Sequence, residues 1–190
     1  MAVILASQSP RRRELLERMG MSDFLIRPAQ GEEIFDPSLT PAQLVEALSR
    51  QKAEEISAGA GPEDIVIAAD TGGAGDGRVL GKPGDEAEAA EMLAALSGRE
   101  HTVYTGVTVR RGGETVTEHE ATAVRFRPLT GEEIAAYVAT GEPMDKAGAY
   151  GAQGYASLFV EGITGDFFNV MGLPLCRLGK MLAEVGVKLL

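Results

Sequence analysis

Residues 101–127 read HTVYTGVTVRRGGETVTEHEATAVRFR, and this stretch decides the fold class. Two runs rich in β-branched residues, His101–Arg110 and Thr115–Arg127, flank the turn sequence RRGGE, which is typical of a β-hairpin. Helical patterns lie on both sides of this hairpin, so the fold class is α/β. Because an antiparallel pair in the middle of the chain argues against an all-parallel sheet, we expect a mixed, twisted sheet flanked by helices.

Two short apolar runs before the hairpin predict buried strands, and each is followed by polar residues. Ala2–Ala6 leads into SQSP, where Ser9 has the position of a helix N-cap and a proline follows at the first helical position. Ile65–Ala69 ends in Asp70 and Thr71, and the glycines that follow make a helix start there unfavourable. Polar side chains at these strand ends are candidates for chemistry.

A second predicted helix begins at a Thr40 capping box and carries one lysine on its apolar side. Leu44, Leu48 and Ile56 recur at multiples of four. Lys52 falls on the same stripe, so its ammonium must either snorkel past apolar neighbours to solvent or project into a cleft between layers. The pattern alone leaves both alternatives open.

The rest of the chain adds further elements but no repeat, linker or low-complexity segment. An Asp85 N-cap and a Thr130 capping box begin two more helices. The periodic pattern then stops from Gly141 to Gly154. A strand near Leu158–Ile163 follows, and a C-terminal helix begins after Pro174.

Composition predicts one compact, soluble domain over residues 1–190. The chain has 44% hydrophobic and 24% charged residues, and no apolar run approaches the roughly 18 residues of a membrane span. Basic residues follow the first apolar stretch, which is the wrong order for a secretory signal, so we expect a cytoplasmic protein without a membrane partner. The net charge of -10 disfavours a nucleic-acid polymer as partner, although a local basic cluster can still bind a small anion.

The cysteine and the histidines are not candidates for chemistry. Cys176 is the single cysteine, so it cannot form an internal disulfide, and we expect it to be buried. His101 and His119 lack metal-ligand spacing, and we assign neither of them a catalytic role.

The first candidate site is the start of the first helix, which combines two serines with two arginines. Backbone N–H groups at a helix N-terminus attract anions, and arginines bind phosphate oxygens in bidentate fashion. Arginines in a first helical turn oppose the helix dipole, which suggests that a bound anion offsets their charge. The alternative is a solvated arginine face on a surface helix. The residues are Ser7, Ser9, Arg11 and Arg12.

Two loops carry further candidates. Lys82 lies in the sequence Gly-Lys-Pro, where proline fixes the loop and glycine permits close backbone approach. This is not a P-loop, because Asp76 stands where the first glycine is required and Pro83 where Ser or Thr is required. The segment Asp145–Gly154, DKAGAYGAQG, is long and rich in glycine, which favours a functional loop, and the amide of Gln153 could read a base edge.

Several separate motifs occur in order along nearly the whole chain. They are LASQSPRRRELL, the helix of Lys52, AADT followed by GKP, SGREHTVYTGV, GEPMDKAGAYGAQG and NVMGLPL. Together they resemble the Maf family of nucleotide pyrophosphatases. The resemblance implies a mixed α/β fold related to the inosine triphosphate pyrophosphatases, with two lobes around a nucleotide cleft, and a homodimer.

The resemblance also implies an activity and a set of site residues. A nucleoside triphosphate, dTTP or UTP rather than methylated GTP, would be cleaved between its α and β phosphates with Mg²⁺ or Mn²⁺ as cofactor. Asp70 resembles the acidic residue that activates water, and Glu33 resembles a carboxylate that shares the metal site with it. Thr71 and Gln153 resemble base-selecting positions. The phosphate binders would be Arg11, Arg12 and the two catalytic lysines, Lys52 and Lys82.

One departure from the family is Gly72–Gly75, since branched apolar residues usually follow AADT. Glycines weaken a strand interior and remove side chains from its packing. This departure slightly favours one alternative, a non-catalytic nucleotide-binding regulator, for instance of cell division. Another alternative is a house-cleaning hydrolase specific for the purine nucleotides inosine or xanthosine triphosphate.

Overall fold

The computed structural model of the chain describes residues 1–75 and 78–190, and Asp76, used above to exclude a P-loop, lies outside them. The strands in these ranges are β1 (Val3–Leu5), β2 (Leu25–Ile26), β3 (Ile65–Gly75), β4 (Arg78–Leu80), β5 (Glu100–Arg111), β6 (Glu114–Phe126) and β7 (Val160–Thr164). The α-helices are α1 (Pro10–Arg18), α2 (Pro41–Ser57), α3 (Glu86–Leu96), α4 (Gly131–Val138), α5 (Phe167–Met171) and α6 (Leu175–Glu184). Short 3₁₀-helices span Glu142–Asp145, Ala147–Ala149 and Tyr155–Leu158.

The described strands form one mixed sheet in the order β2-β1-β3-β5-β6-β7, with β4 paired to β3 outside this path. β1 runs parallel to β2 and to β3, where Ile4 pairs with Val66. β4 is antiparallel to β3, and β7 is antiparallel to β6. The expected α/β fold with a mixed sheet flanked by helices is therefore confirmed.

The sequence signals at the helix starts are also confirmed. At the start of α1, the Ser9 hydroxyl accepts a hydrogen bond from the Arg12 backbone N–H at 3.5 Å. Thr40 and Gln43 form a capping box at α2, and Asp85 caps α3. Each of these side chains satisfies a backbone N–H that has no partner within its own helix. The capping residues thus fix where these helices begin, including α1 and α2, which carry candidate residues.

Close contacts divide the chain into two compact units. Unit 1 comprises Met1–Asp70, Thr105–Glu120 and Gly172–Leu190. Unit 2 comprises Thr71–Tyr104 and Ala121–Met171.

Unit 1 packs α2 against the sheet. Ile4 and Val66 are buried and pack with Ala53 of α2. At Gly106 of β5, an added Cβ would lie 2.2 Å from the carbonyl oxygen of Val45 in α2. No side chain fits at that distance, so the helix backbone lies directly on the strand.

Unit 2 has a core of interlocking rings. Phe126 of β6 meets Tyr150 edge to face with ring centroids 4.8 Å apart, and it meets His101 of β5 at 5.1 Å. His101 Nε2 and the Tyr150 hydroxyl form a hydrogen bond of 2.7 Å. His101 is 3% exposed, and burial lowers its pKa to about 4. Its Nδ1 has no hydrogen-bond partner among the described residues, so this histidine lies neutral in the core.

The strand expected to end at Asp70 and Thr71 is longer. β3 continues through Gly72–Gly75 and pairs there with β4, an element that the sequence did not indicate. Gly73 lies opposite Leu80, and a Cβ added to Gly73 would be 3.3 Å from the Leu80 Cβ. The missing side chains therefore permit a close approach of the two strands, which compensates for the packing that they remove.

Two further expectations are corrected, and one is refined. The segment 141–154, where the periodic pattern stops, contains two 3₁₀-helices, whose tight turns leave no apolar period. A third one at Tyr155–Leu158 delays the following strand, so β7 begins at Val160. Cys176 is exposed, since α6 buries its opposite side through Leu178 and Met181.

None of the helices in the described ranges has the length and apolarity that a membrane span requires.

Candidate active site

The connection between β1 and α1 in unit 1 holds the side chain of Arg12. Its Nη1 donates to the Ser7 hydroxyl at 3.2 Å, and its Nε donates to the Gly172 carbonyl at 2.8 Å. Ser7 is 8% exposed and also accepts a hydrogen bond from the Ser9 backbone N–H at 3.2 Å. The Arg12 guanidinium is therefore fixed by the protein, which contradicts a solvated face at this position.

The electrostatic surroundings of Arg12 connect the start of α1 with two carboxylates. Burial lowers the pKa of Arg12, whereas the charge of Asp70 raises it, with smaller opposing contributions from Arg11 and Glu33. Arginine stays protonated at any physiological pH, so its burial must be offset by nearby negative charge. Asp70 and Glu33 supply that charge, and the half-buried Arg11 adds a second cation beside Arg12.

Lys52 lies between the same two carboxylates. Its Nζ is 2.5 Å from Asp70 Oδ1 and 2.9 Å from Glu33 Oε1. The side chains of Lys52 and Asp70 are only 17% and 15% exposed, whereas that of Glu33 is 56% exposed. The ammonium of Lys52 thus contacts two carboxylates. It does not snorkel to solvent, which was one of the two alternatives for this lysine.

The acidic loop that carries Glu33 is fastened to α2 by two residues that the sequence analysis missed. Gln51 Nε2 donates to the Glu32 carbonyl at 2.6 Å, and Gln51 Oε1 accepts from the Ile34 backbone N–H at 3.2 Å. The Glu55 carboxylate accepts from the backbone N–H groups of residues 30 and 31 at 2.8 and 3.0 Å. One amide therefore holds the backbone on both sides of Glu33. These contacts are made to backbone atoms, so no pairing of residue types in the sequence could have revealed them.

A divalent cation fits this cluster only if the substrate completes its coordination. Carboxylate oxygens are the ligands that Mg²⁺ and Mn²⁺ prefer, and Mg²⁺ commonly uses one or two carboxylates together with phosphate oxygens and water. Glu33 and Asp70 contact the same ammonium, so their oxygens lie close together. Among the described residues, no group of three His, Cys, Asp or Glu side chains could hold a metal without such additional ligands.

Lys82, on a loop of unit 2, has different surroundings. It is exposed, and its ammonium makes no ion pair with any residue that the structure describes. The loop itself is anchored, because the Gly148 backbone N–H donates to the Gly81 carbonyl at 2.9 Å. The backbone beside the lysine is thus anchored, whereas its ammonium is exposed to solvent.

Gln153 lies on an exposed turn of unit 2, and its amide makes no hydrogen bond within residues 1–75 and 78–190. Thr71 is half-buried in β3. The segment before the turn is strained at Ala149, which has a φ of 60° and is the one non-glycine residue of the described chain in the left-handed region. Such conformations persist where surrounding contacts impose them, often in functional loops.

The expected site residues fall into two groups. Hydrogen bonds, ion pairs and charge interactions connect most members of the group in unit 1. In unit 2, no hydrogen bond or ion pair within the described residues joins Lys82 to Gln153. The group in unit 1 is Ser7, Ser9, Arg11, Arg12, Glu33, Lys52 and Asp70, and the group in unit 2 is Thr71, Lys82 and Gln153.

Comparison with known proteins places the chain in a family. Residues 2–185 match the family described as Maf-like protein. The dTTP/UTP pyrophosphatase of Moorella thermoacetica is 56% identical over 188 residues, which cover 97% of this chain and 95% of that protein. The dTTP/UTP pyrophosphatase of Symbiobacterium thermophilum is 51% identical over 184 residues, which cover 97% and 94%. Among solved structures, a nucleoside-triphosphatase / dITP/XTP pyrophosphatase of Mycobacterium abscessus matches 98% of this chain and 99% of its own, with 18% identity and a TM-score of 0.46. Because the family match and the identities extend over almost the whole sequence, the chain belongs to the Maf-like protein family.

Proposed function

We propose that this protein is a nucleoside triphosphate pyrophosphatase that converts dTTP and UTP to the monophosphate and pyrophosphate. The observation that carries the proposal is Lys52, held at 2.5 Å from Asp70 and at 2.9 Å from Glu33, with the Arg12 guanidinium interacting with both carboxylates. The names of the two relatives, both dTTP/UTP pyrophosphatases, support the same reaction.

Glu33 and Asp70 would hold the divalent cation, Mg²⁺ or Mn²⁺. When bound, it supplies positive charge to the phosphate oxygens. Phosphoryl transfer to water depends mainly on positioning and on neutralising charge. Two carboxylates for the cation and several nearby cations for the phosphates are suited to both tasks.

Asp70 would act as the general base. Lys52 contacts its Oδ1, and its second carboxylate oxygen, Oδ2, would accept a proton from the attacking water. The water oxygen forms a bond to the α phosphorus, and the bond from that phosphorus to the bridging oxygen breaks. Its electrons leave with pyrophosphate.

The cationic residues would bind the phosphates. The helix start at Ser9 offers backbone N–H groups, and Arg12 is already oriented by Ser7. Arg11, Lys52 and Lys82 would neutralise the charge that grows on the departing pyrophosphate. Thr71 and Gln153 would contact the base.

The non-catalytic alternative has lost the argument that favoured it. It depended on disruption of the strand at Gly72–Gly75, and β3 remains a paired strand through these residues. The purine-specific alternative shares the chemistry and differs only in the preferred base.

Pyrophosphate release from a panel of nucleoside triphosphates tests the function. With Mg²⁺ or Mn²⁺, we expect release from dTTP and UTP and little from inosine or xanthosine triphosphate. EDTA should abolish release and leave the thermal unfolding transition unchanged, because two carboxylates and substrate do not form a structural metal cage. No release from any nucleotide would leave a pure binder, and a best rate with a purine would reassign the substrate.

The remaining features of the proposal concern the whole protein. We propose that the 190 residues act as one domain, because β3, β5 and β6 each contribute residues to both units. A cytoplasmic homodimer agrees with the family resemblance. The net charge of -10 supports a small nucleotide rather than a nucleic-acid polymer as partner.

A further inference from the structure

A carboxylate from outside the turn closes the turn that carries Gln153. Glu142 Oε1 accepts a hydrogen bond from the Tyr137 hydroxyl at 2.9 Å, and Glu142 Oε2 accepts one from the Tyr155 backbone N–H at 3.0 Å. The Gly151 backbone N–H donates to the Tyr137 hydroxyl at 3.2 Å. Glu142 and Tyr137 together therefore hold the backbone on both sides of Gln153.

The two glycines of this turn, Gly151 and Gly154, permit the close approach of the side chains of Lys146 and Glu142. A Cβ added to Gly151 would lie 2.6 Å from Cε of Lys146, and one added to Gly154 would lie 2.4 Å from both carboxylate oxygens of Glu142. Lys146 is fixed in turn, because its ammonium donates to the Glu142 carbonyl at 2.6 Å. The absence of a side chain at Gly154 thus makes room for the Glu142 carboxylate, and its absence at Gly151 makes room for Lys146.

The chemistry of the two holding groups suits a rigid contact. Tyr137 is 4% exposed, and burial raises the pKa of its hydroxyl, so the hydroxyl stays protonated and donates. Hydrogen bonds to an ionised carboxylate are roughly twice as strong as those between neutral groups. The half-buried Glu142 therefore fixes the turn more firmly than a neutral acceptor would.

We infer that Glu142 and Tyr137 are positioning residues for base discrimination, an inference that rests on the proposed pyrimidine nucleotide specificity and on Gln153 as the residue that reads the base. They hold the backbone of the turn while the Gln153 amide stays open to solvent. A fixed backbone limits the positions that the amide can reach, so the amide can test the pairing edge of a base at one place. Uracil and cytosine differ at that edge by exchange of donor and acceptor groups.

The test compares the ratio of kcat/KM for UTP and CTP among variants of the full chain. Tyr137→Phe removes one hydroxyl and should narrow the ratio by about 3- to 10-fold, the usual effect of a lost hydrogen bond. Glu142→Ala removes both acceptors and should narrow it further, whereas Glu142→Gln keeps an acceptor and should recover part of the ratio. In each variant, kcat for UTP should change less than the ratio. Tyr155→Phe is the matched control, since its ring is 65% exposed and only its backbone contacts Glu142.

The outcomes separate this inference from the proposed function. No pyrophosphate release by the wild-type protein from UTP or dTTP would overturn both. Release by the wild-type protein with an unchanged ratio in Tyr137→Phe would overturn the inference alone, even if Glu142→Ala fails to fold. Equal losses for UTP and CTP in all variants would also overturn it, because they would reveal a general structural role.

Discussion

Lys52 in unit 1 and Lys82 in unit 2 have the same ammonium group in opposite surroundings. Lys52 is 17% exposed and contacts two carboxylates, whereas Lys82 is exposed and has no ion-pair partner within the described residues. Gln153 resembles Lys82 in this respect, because the protein fixes its backbone and leaves its polar group in solvent.

The difference follows from burial. Charges taken out of water must be paired, whereas a charge in solvent needs no partner. In unit 1 the protein therefore orders the side chains themselves, and these groups are ready before a nucleotide arrives. For Lys82 and Gln153 in unit 2 it fixes the nearby backbone and leaves the polar groups exposed, so under the proposed function the nucleotide would order these two side chains.

The sharpest test of the ordered group is Asp70→Asn. Turnover of UTP should fall by roughly 10²- to 10⁴-fold, because the amide cannot accept the proton of water, while nucleotide affinity should persist. Steady-state kinetics and calorimetric titration measure the two quantities. Glu54→Gln, at an exposed carboxylate on α2, controls for the loss of charge. A variant with near-normal turnover would remove Asp70 from the mechanism.

Acid should destabilise unit 2 before unit 1, because unit 2 contains the buried His101. Its pKa of about 4 in the folded protein lies below the ordinary value of 6.5, so between these values the unfolded chain binds the proton first. Neutral His101 makes its full contribution to the free energy of unfolding above pH 6.5. This contribution is lost as the pH falls to about 4, and the free energy of unfolding should then be lower by about 3 kcal/mol. Denaturant titrations measure the loss, and hydrogen exchange should detect it first in unit 2. His101→Phe should flatten this part of the pH profile, and an unchanged profile would contradict the assignment.

The two lysines should differ in stability as well as in rate. Lys52→Ala leaves two carboxylates facing each other and should lower the free energy of unfolding by about 1 to 3 kcal/mol. Lys82→Ala should reduce activity and keep stability within about 0.5 kcal/mol, since its charge is solvated. Denaturant unfolding measures both variants beside Lys180→Ala, an exposed lysine of α6. Equal free energies of unfolding for Lys52→Ala and Lys82→Ala would contradict the difference between a paired lysine in unit 1 and a solvated lysine in unit 2.

The smallest effect should come from Gln153→Ala. It should narrow the ratio of UTP to CTP hydrolysis more than it lowers the best rate, because the role proposed for the amide is to read the base and not to take part in bond breaking. In the wild-type protein, dTTP and UTP should differ by no more than roughly 200-fold, since a thymine methyl contributes little in an apolar pocket. Competition between paired nucleotides measures these ratios. An unaltered ratio in the variant would assign base reading to another residue.

Local signals predicted those parts of the fold that depend on neighbours in sequence. Ser9, Thr40 and Asp85 cap helices at the predicted positions, and the hairpin lies where RRGGE places it. β4 escaped prediction, because a strand of three residues has almost no period and its partner is a run of glycines. It pairs with β3 through contacts such as that of Gly73 with Leu80, which no local pattern encodes.

The candidate site divides in the same way. Residue types and family motifs indicated Asp70, Lys52 and Glu33, but not that one ammonium contacts both carboxylates, since these residues are far apart in sequence. Gln51 and Glu142 were missed altogether. Both contact backbone groups, Glu142 in addition to the Tyr137 hydroxyl, and a backbone N–H or carbonyl is the same at every position of the sequence.

Gly106 shows how a residue without a side chain can determine the position of a functional group, the ammonium of Lys52. Its contact with the Val45 carbonyl places α2 on the sheet, two helical turns before Lys52 on the same side of the helix. A substitution score would rate alanine there as conservative, although the added methyl must displace the helix. A change at this position should therefore be followed by two measurements, because a shift of α2 alters both the free energy of unfolding and the place of the Lys52 ammonium.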